Sequence, residues 1–536
     1  LRKSLQNNSK ISILYAGYAV PVHFFMKSLL FLVCLSVFVR ASGGAPTSGG
    51  HAHHVVVMVW DGMRPDFVSE KTTPNLWKLA QQGVTFRHHH PVYTSSTEVN
   101  GTAMATGAYP EHSGVMANRE YRPEADPLQP VGMELQATIS ASKGHYLAVP
   151  TVVELLHAAG LETAIAGSKG VALLQDWAHQ QSSPAARNSM LFDDGKMEPP
   201  GAMAELTGTL GPWPDTVEFP NIPQDQWTTA ALTQVMWKKA VPAYSMLWMS
   251  DPDYSQHQMA PGSEMALAST KSVDDRLGTV LAALDAKGVR ADTDILVVSD
   301  HGFSTISRPD DPVSALHASG LDITGTAFAA PPKPGQVLAI GNGGSYSFYI
   351  IGHDETIGRK ITEFLQTTDY AGVLFSRWGL PGTFDLHTGH IATKEAPDVV
   401  MAFHWTPDRN IYGSPGLLDG DAGRRKGKGS HASLSAYEMH NTLIATGPDF
   451  RKGWQDDTPT GNVDIAPTVL WILGVPHLPM DGRVLLEAMP GHSLARKVSQ
   501  TILTAANPAN AWTQYLKVSH VGTTEYFDEG NRGTGK

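Results

Sequence analysis

The chain has 536 residues, 42% of them hydrophobic and 17% charged, which exceeds a minimal domain and suits a large α/β core with inserted segments. Residues 1–41 carry five basic side chains (Arg2, Lys3, Lys10, Lys27, Arg40) and no acidic one, so removing them takes the formal net charge from −11 to −16. A body that acidic argues against a nucleic-acid polymer as ligand, because phosphate backbones are gripped by Lys and Arg, but it leaves room for a small anion held through metal ions.

The first segment accounts for its own bias. "MKSLLFLVCLSVFVRASGGA" has a basic residue at Lys27, an apolar run from Leu29 to Val39 and small residues at Ala41 and Ser42. That is the pattern of a secretory signal peptide, with an apolar run too short to span a bilayer. The expectation is therefore an exported protein, periplasmic or extracellular, with no stable membrane anchor after cleavage near Ser42. Met26 reads as the true start and residues 1–25 as a translation artefact. Cys34, the only cysteine, lies inside this segment, so the mature chain has none, and thiolate nucleophiles and CxxC zinc sites are excluded.

A Gly/Ser/Pro-rich linker (42–50) precedes what reads as a single catalytic domain, 51–536. Strand-like and helix-like runs then alternate. "HHVVVMVW" (53–60) is strand-like and continuously apolar from Val55. "TPNLWKLAQQG" (73–83) reads as a helix with Thr73 as cap, Pro74 in the first turn and Gly83 as stop. "TVVELLHAAG" (151–160) has the same grammar and leads into the strand-like "TAIAG"; the amphipathic "KSVDDRLGTVLAALDAKG" (271–288) leads into "DILVVSDHG"; "NVDIAPTVLWILG" (462–474) is a further helix. This alternation predicts a doubly wound, mostly parallel sheet with helices on both faces. Near 185–225 and 305–430 Pro and Gly become frequent and periodicity fades, which marks insertions over the active edge of that sheet.

In open parallel sheets, sites form at the carboxyl ends of the strands. The run 53–60 ends in Asp61, "YSMLWMSDPDYSQHQ" (244–258) ends in Asp253 with His257 four residues on, and "DILVVSDHG" ends in Asp300 and His301. Carboxylate oxygens and imidazole nitrogens are what zinc-type cations take, and the Asp253–His257 spacing puts both on one face of a helical turn. His431, in the glycine-flanked "GKGSHASL", joins them. The other histidines, His51, His53, His54 and the run His88–His90, read as surface or packing residues. "PVYTSSTEVNGTAMATG" (91–107) offers four consecutive hydroxyls, Thr94 to Thr97, before a small-residue helix. A hydroxyl there sits where backbone N–H groups favour anions, and a cation can lower its pKa; spacing does not choose among the four. Asn100, three residues after Thr97 on the same helical face, is placed to donate to a substrate oxygen. Lys169 follows the strand-like "TAIAG" and should project from the same edge.

Taken together, "DG", "TEVN…TGAYPEHSG", "DPDYSQH", "SDHG" and "GSH" resemble the type I phosphodiesterase/nucleotide pyrophosphatase branch of the alkaline phosphatase superfamily, from about residue 53 to about 480. The resemblance implies two Zn2+ ions per chain, one held by Asp61, Thr97, Asp300 and His301, the other by Asp253, His257 and His431. It selects Thr97 as nucleophile, forming a phospho-threonine intermediate, and Asn100 as oxyanion donor. The implied substrate is a small phosphodiester or monoester. Alternatives on the same fold are an alkaline phosphatase-type monoesterase or a phosphonate hydrolase, and a non-catalytic metal-binding protein is the reading from another class. Relatives usually read TFPNH where this chain has Thr97-Glu98-Val99-Asn100-Gly101, and Gly where it has Ala432. Monoesterases resembling the family place a Lys and an Arg two apart in the loop of Lys169; here the second position is Val171, which implies a mixed enzyme that prefers diesters.

Overall fold

The computed structural model describes residues 49–132, 146–176, 189–193, 195–198, 200–493 and 497–535. The signal-like segment, the linker as far as 48 and part of the 185–225 stretch lie outside the described residues.

The centre of the molecule is a nine-stranded mixed sheet. Its order is Trp454–Asp456, Val84–Phe86, Leu443–Thr446, Thr293–Val298, His54–Trp60, Tyr244–Met249, Thr163–Gly167, Ser189–Asp193, Lys196–Glu198. The five strands from Thr293–Val298 to Ser189–Asp193 run parallel. The flanks are not all parallel: Leu443–Thr446 pairs antiparallel with Thr293–Val298, and Lys196–Glu198 antiparallel with Ser189–Asp193.

A strand buried on both faces reads as an unbroken apolar run, and His54–Trp60 shows why. Val55, Val57 and Val59 enter one core with Val152, Val153 and Leu156 of the helix Val152–Ala158 and with Val469 and Leu470 of the helix Ile465–Ile472. Val56, Met58 and Trp60 enter a second core with Leu76 and Leu79 of the helix Pro74–Gln82 and Val273 and Leu277 of the helix Glu264–Ala286. Alternation along one strand thus feeds both helical layers, the doubly wound arrangement the sequence predicts.

Local details differ from expectation. The helix expected at 271–288 starts seven residues earlier, capped by the Ser263 side chain, which accepts from Ala266 N–H. Thr73 does not cap its helix through its side chain; the first free N–H groups, of Asn75 and Leu76, go instead to the carboxylate of Asp274 on the neighbouring helix. The candidate helix at 462–474 opens with a 3-10 turn, Asn462–Asp464.

The stretch of faded periodicity contains a second sheet of six strands, order Ile323–Thr324, Val337–Gly341, Ser345–Ile350, Val399–Phe403, Ala371–Ser376, Phe384–Asp385, with the helix Glu355–Gln366 packed on it. A C-terminal antiparallel meander follows, Val498–Asn507, Trp512–Val521 and Thr524–Arg532. It docks on the second sheet through Gln514, whose side-chain amide bonds both N–H and C=O of Leu374.

The entry to the first strand is pinned by a carboxyl pair. Asp449 accepts from the backbone N–H of His51 and Ala52 at 2.7 and 2.9 Å. Burial, then the neighbouring charge of Asp449, pushes the Asp294 carboxyl up to about 9. Asp294 therefore keeps its proton in the folded protein, while the unfolded chain loses it above about pH 4. Its contribution to stability is present below that pH and is lost as pH climbs toward 9. In Asp294→Asn, which keeps a donor toward Asp449, this loss is expected to vanish. Urea midpoints measured from pH 5 to 9 should diverge from the parent's in the variant's favour; parallel curves would refute the raised Asp294 carboxyl.

Candidate functional site

Because the central strands are parallel, their carboxyl ends meet on one edge, and four of the five deliver charged or ligating residues there. Asp61 follows His54–Trp60, Asp253 begins the helix Asp253–Met259 just after Tyr244–Met249, Asp300 and His301 follow Thr293–Val298, and Lys169 follows Thr163–Gly167. The Asp61–Gly62 step turns the chain sharply: Gly62 has φ +72°, and a Cβ there would lie 2.9 Å from the Phe303 ring and 3.2 Å from the Asp253 backbone. The turns are strapped together. Asp253 N–H donates to the Asp61 carbonyl at 2.9 Å, and Gly62 and His301 N–H both donate to Asp300 Oδ1, at 2.9 and 3.0 Å.

The four hydroxyls separate on their partners. Ser95 Oγ donates to the Ser433 carbonyl at 2.8 Å, Thr94 Oγ1 to the Met116 carbonyl at 2.8 Å, and Ser96 Oγ sits 3.2 Å from Thr94 Oγ1. Thr97, the first residue of the helix Thr97–Thr106, alone faces the charged cluster, with Oγ1 3.3 Å from His301 Nε2 and 3.3 Å from Lys169 Nζ. Small residues let that helix approach closely: a Cβ at Gly101 would meet Val171 of the turn Gly170–Leu174 at 2.5 Å and Trp248 of the sheet at 3.3 Å.

Asp61, Asp253 and Asp300 are buried to 1% exposure or less, and each keeps one oxygen with no hydrogen bond: Oδ1, Oδ1 and Oδ2. A buried, unpartnered carboxylate oxygen is costly unless a cation meets it. The imidazoles complete the donor set. His257 Nδ1 points at the Gly429 carbonyl (3.0 Å), His301 Nδ1 at that of Gly302 (2.9 Å) and His431 Nδ1 at that of Ser95 (2.9 Å). Donation there leaves the Nε2 lone pairs turned inward, the arrangement of metal-ligating histidines. Arg424 Nη1 also approaches His257 Nδ1, at 3.2 Å, and brings a second positive charge to the rim.

His301 Nε2 lies 3.6 Å from Asp61 Oδ1 and 3.2 Å from Asp300 Oδ2; His257 Nε2 and His431 Nε2 lie 3.3 and 3.5 Å from Asp253 Oδ1. Asp61, Asp300 and His301 form one group able to hold a cation, and Asp253, His301 and His431 an adjoining one, each within 4.8 Å. The chain's own charges do not balance. Lys169 Nζ bridges Asp61 Oδ2 (3.0 Å) and Asp253 Oδ2 (2.9 Å), a single ammonium against three carboxylates. Burial, then the charge of Asp300, pushes the Asp61 carboxyl above its ordinary range. Burial works against the Lys169 charge, but Asp253 and Asp61 outweigh it and hold the ammonium above its usual value. Burial pushes His257 and His431 down, so both are neutral, the ligating form. The donor set and its orphaned oxygens fit divalent cations.

One expected member is not turned into the site. Asn100 is fully buried, and its side chain is spent on the loop that precedes Thr97: Oδ1 accepts from Val92 N–H (2.8 Å) and Asn462 Nδ2 (3.0 Å), while Nδ2 donates to the carbonyls of Val92 (3.2 Å) and Ser96 (3.1 Å). Helical spacing put Asn100 near Thr97 but could not tell the face toward the site from the face toward the loop. Asn118, in an irregular segment, bonds the first turn of the helix that carries Thr97. Its Oδ1 accepts from Glu98 N–H at 2.9 Å, which leaves its amide N–H groups beside the residue after Thr97. No periodicity in "VMANRE" marks it. Trp248, whose indole donates to Asp61 Oδ2 at 2.8 Å, was likewise hidden inside an apolar strand.

Asn100→Ala should lower stability by about 1–3 kcal/mol, the cost of orphaning buried backbone groups, and shift the denaturant midpoint accordingly. An unchanged midpoint with lost turnover would restore the donor role expected from the sequence.

A model of the type I phosphodiesterase/nucleotide pyrophosphatase family matches residues 55–356. Ectonucleotide pyrophosphatase/phosphodiesterase family member 7 of Rattus norvegicus is 21% identical over 295 residues, 54% of this chain and 59% of that protein. The bis(5'-adenosyl)-triphosphatase enpp4 of Xenopus laevis is 21% identical over 466 residues, 85% of this chain and 86% of that one. The chain thus spans a little over half the length of the first of these relatives. Among solved structures, an inactive form of murine ectonucleotide pyrophosphatase/phosphodiesterase 5 in complex with AMP shares the fold, with TM-score 0.57 at 16% identity, over 80% of this chain and 97% of that one.

Proposed function

The chain belongs to the type I phosphodiesterase/nucleotide pyrophosphatase family, and from that premise we propose that it is an exported, zinc-dependent phosphoric ester hydrolase that works through a phospho-threonine. The observation that carries the reading is the orientation of Thr97: of four consecutive hydroxyls, Thr94 and Ser95 donate to neighbouring loops, Ser96 lies against Thr94, and Thr97 faces the carboxylate–imidazole cluster. Two cations would be held by Asp61, Asp300, His301 and Thr97, and by Asp253, His257 and His431. When bound they supply Lewis-acid charge to the phosphoryl group and lower the pKa of the attacking hydroxyl.

The chain's own residues do the rest. Thr97 Oγ1 gives up its proton to solvent and attacks phosphorus in line; the Thr–O–P bond forms as the bond to the leaving alkoxide breaks, and that oxygen takes up a proton from solvent. Water then hydrolyses the phospho-threonine and restores the hydroxyl. Thr97 sits at a helix N-terminus, so backbone N–H groups face the equatorial oxygens, and the Asn118 amide is the side-chain donor beside them. Lys169 Nζ, 3.3 Å from Thr97 Oγ1, meets the extra charge that a monoester carries. Export is supported by the basic, apolar and small-residue pattern of residues 26–42; among the described residues no helix is long and apolar enough to cross a membrane. The AMP bound by the murine neighbour makes nucleotide esters the first substrates to try.

Thr97→Ala should keep its metal and lose activity by on the order of a thousandfold or more, with Thr97→Ser partly active. Asn118→Ala should cost about 100-fold in kcat at little cost in stability. A Ser96→Ala enzyme as dead as Thr97→Ala would move the nucleophile.

Lys169→Ala is expected to reduce hydrolysis of p-nitrophenyl phosphate more than that of bis-p-nitrophenyl phosphate. Equal losses would show that Lys169 only balances the carboxylates. Chelation should abolish both activities and added Zn2+ should restore them.

A further inference from the structure

Outside the reaction centre, one other group of side chains among the described residues is assembled for a cation. His90, His440 and Asp528 bring one ligand atom each to within 4.8 Å of one another, with His90 and Asp528 buried and His440 half-buried. These residues come from three remote parts of the chain: the short strand His89–His90, the loop between His431 and the strand Leu443–Thr446, and the last strand of the C-terminal meander.

Their orientation repeats that of the reaction-centre histidines. His90 Nδ1 points at the Thr460 carbonyl at 2.9 Å, and His440 Nδ1 at the Ala436 carbonyl at 3.0 Å. Donation there fixes each ring and leaves Nε2 as the lone pair; the two ring centroids are 4.7 Å apart. His90 Nε2 lies 3.1 Å from Asp528 Oδ1. The carboxylate has an outer layer too, since Ser519 Oγ donates to it at 2.9 Å and Gln500 Nε2 at 3.0 Å. Burial, then the neighbouring His90, pushes His440 down to about 3, so its ring is neutral. The exposed His88 stands at the mouth, its ring 6.4 Å from that of His440, in reach of a fourth position that water can otherwise take.

We propose that His90, His440 and Asp528 form a separate binding site for a divalent transition cation, Zn2+ by the chemistry of its donors. Two imidazoles and one carboxylate suit zinc and not calcium or magnesium, which prefer oxygen. The site is structural. His90 lies seven residues before Thr97 and His440 nine after His431, and the Asn441 side chain bonds the Ser299 carbonyl beside Asp300. A cation here clips the C-terminal meander to the backs of the loops that carry the nucleophile and two of the reaction-centre ligands. Joining segments this remote is where a cross-link removes most chain entropy.

The test is zinc stoichiometry of the full chain, stripped by chelator, reloaded with ZnCl2 and dialysed before elemental analysis. A variant with the reaction centre disabled, Asp300→Asn with His257→Gln, should retain one tightly held equivalent; retention of none overturns the proposal. Adding His440→Gln or Asp528→Asn to that variant should remove this equivalent and the rise in melting temperature that Zn2+ gives it. If the equivalent survives both substitutions, the cluster is a His90–Asp528 ion pair with His440 packed beside it, and the site does not exist.

Discussion

Three carboxylates buried at the ends of parallel strands are the constraint on which this molecule turns. Asp61, Asp253 and Asp300 each leave an oxygen without a hydrogen bond in a buried edge, and among the described residues one ammonium stands against them, that of Lys169. Burying a carboxylate costs several kcal/mol unless a counter-charge is close, and the neutral imidazoles around them add donors but no charge. An arrangement that unfavourable survives because the cores on both faces of the central sheet hold it. It is resolved by cations, and the same cations are what phosphoryl transfer needs.

Holding such a site to within tenths of an ångström is a task for the surrounding backbone. Each imidazole is steered by a carbonyl, and those carbonyls lie in loops that are themselves tied down. The loop of His431 is gripped by the second sheet: Gly344, in the turn before the strand Ser345–Ile350, donates to the His431 carbonyl at 2.7 Å, and Ser345 Oγ donates to that of Ala432. Ala432 has φ +80°, a conformation that glycine adopts more readily, which gives a backbone reason for the glycine usual at this position in relatives. The second sheet thus reaches the chemistry by gripping the backbone of the His431 loop. It lends rigidity to one ligand, and one of its faces carries the C-terminal meander.

The sequence contained the donors and their order. Apolar runs that stop on Asp61, Asp253, Asp300 and His301 are local facts, since a strand buried on both faces has no other place for a charge than its end. A glycine after Asp61 is local too, because only a positive φ turns the chain there. The helix–strand alternation was legible for the same reason, each period being set by neighbours a few residues apart. Where periodicity failed, around 305–430, a strand carries an irregularity, between Ala371 and Val373, and central strands of the second sheet pair with partners far away in the chain, as Ser345–Ile350 does with Val399–Phe403.

What only the tertiary structure decided is direction. Four hydroxyls in a row are equivalent by composition, and Thr97 is singled out because Ser433 and Met116, more than 300 and about 20 residues away, occupy two of the others. Asn100 turns away from the site and Asn118, which no pattern marked, meets the helix of Thr97, because a side chain's place depends on which face of a folded loop it meets; that face is made by Asn462 and Val92 in one case and Glu98 in the other. Sequence alone determined which atoms can bind a metal and an anion, because residue identity sets donor chemistry. The fold alone determined where those atoms point, because pointing is fixed by contacts between residues that the chain keeps far apart.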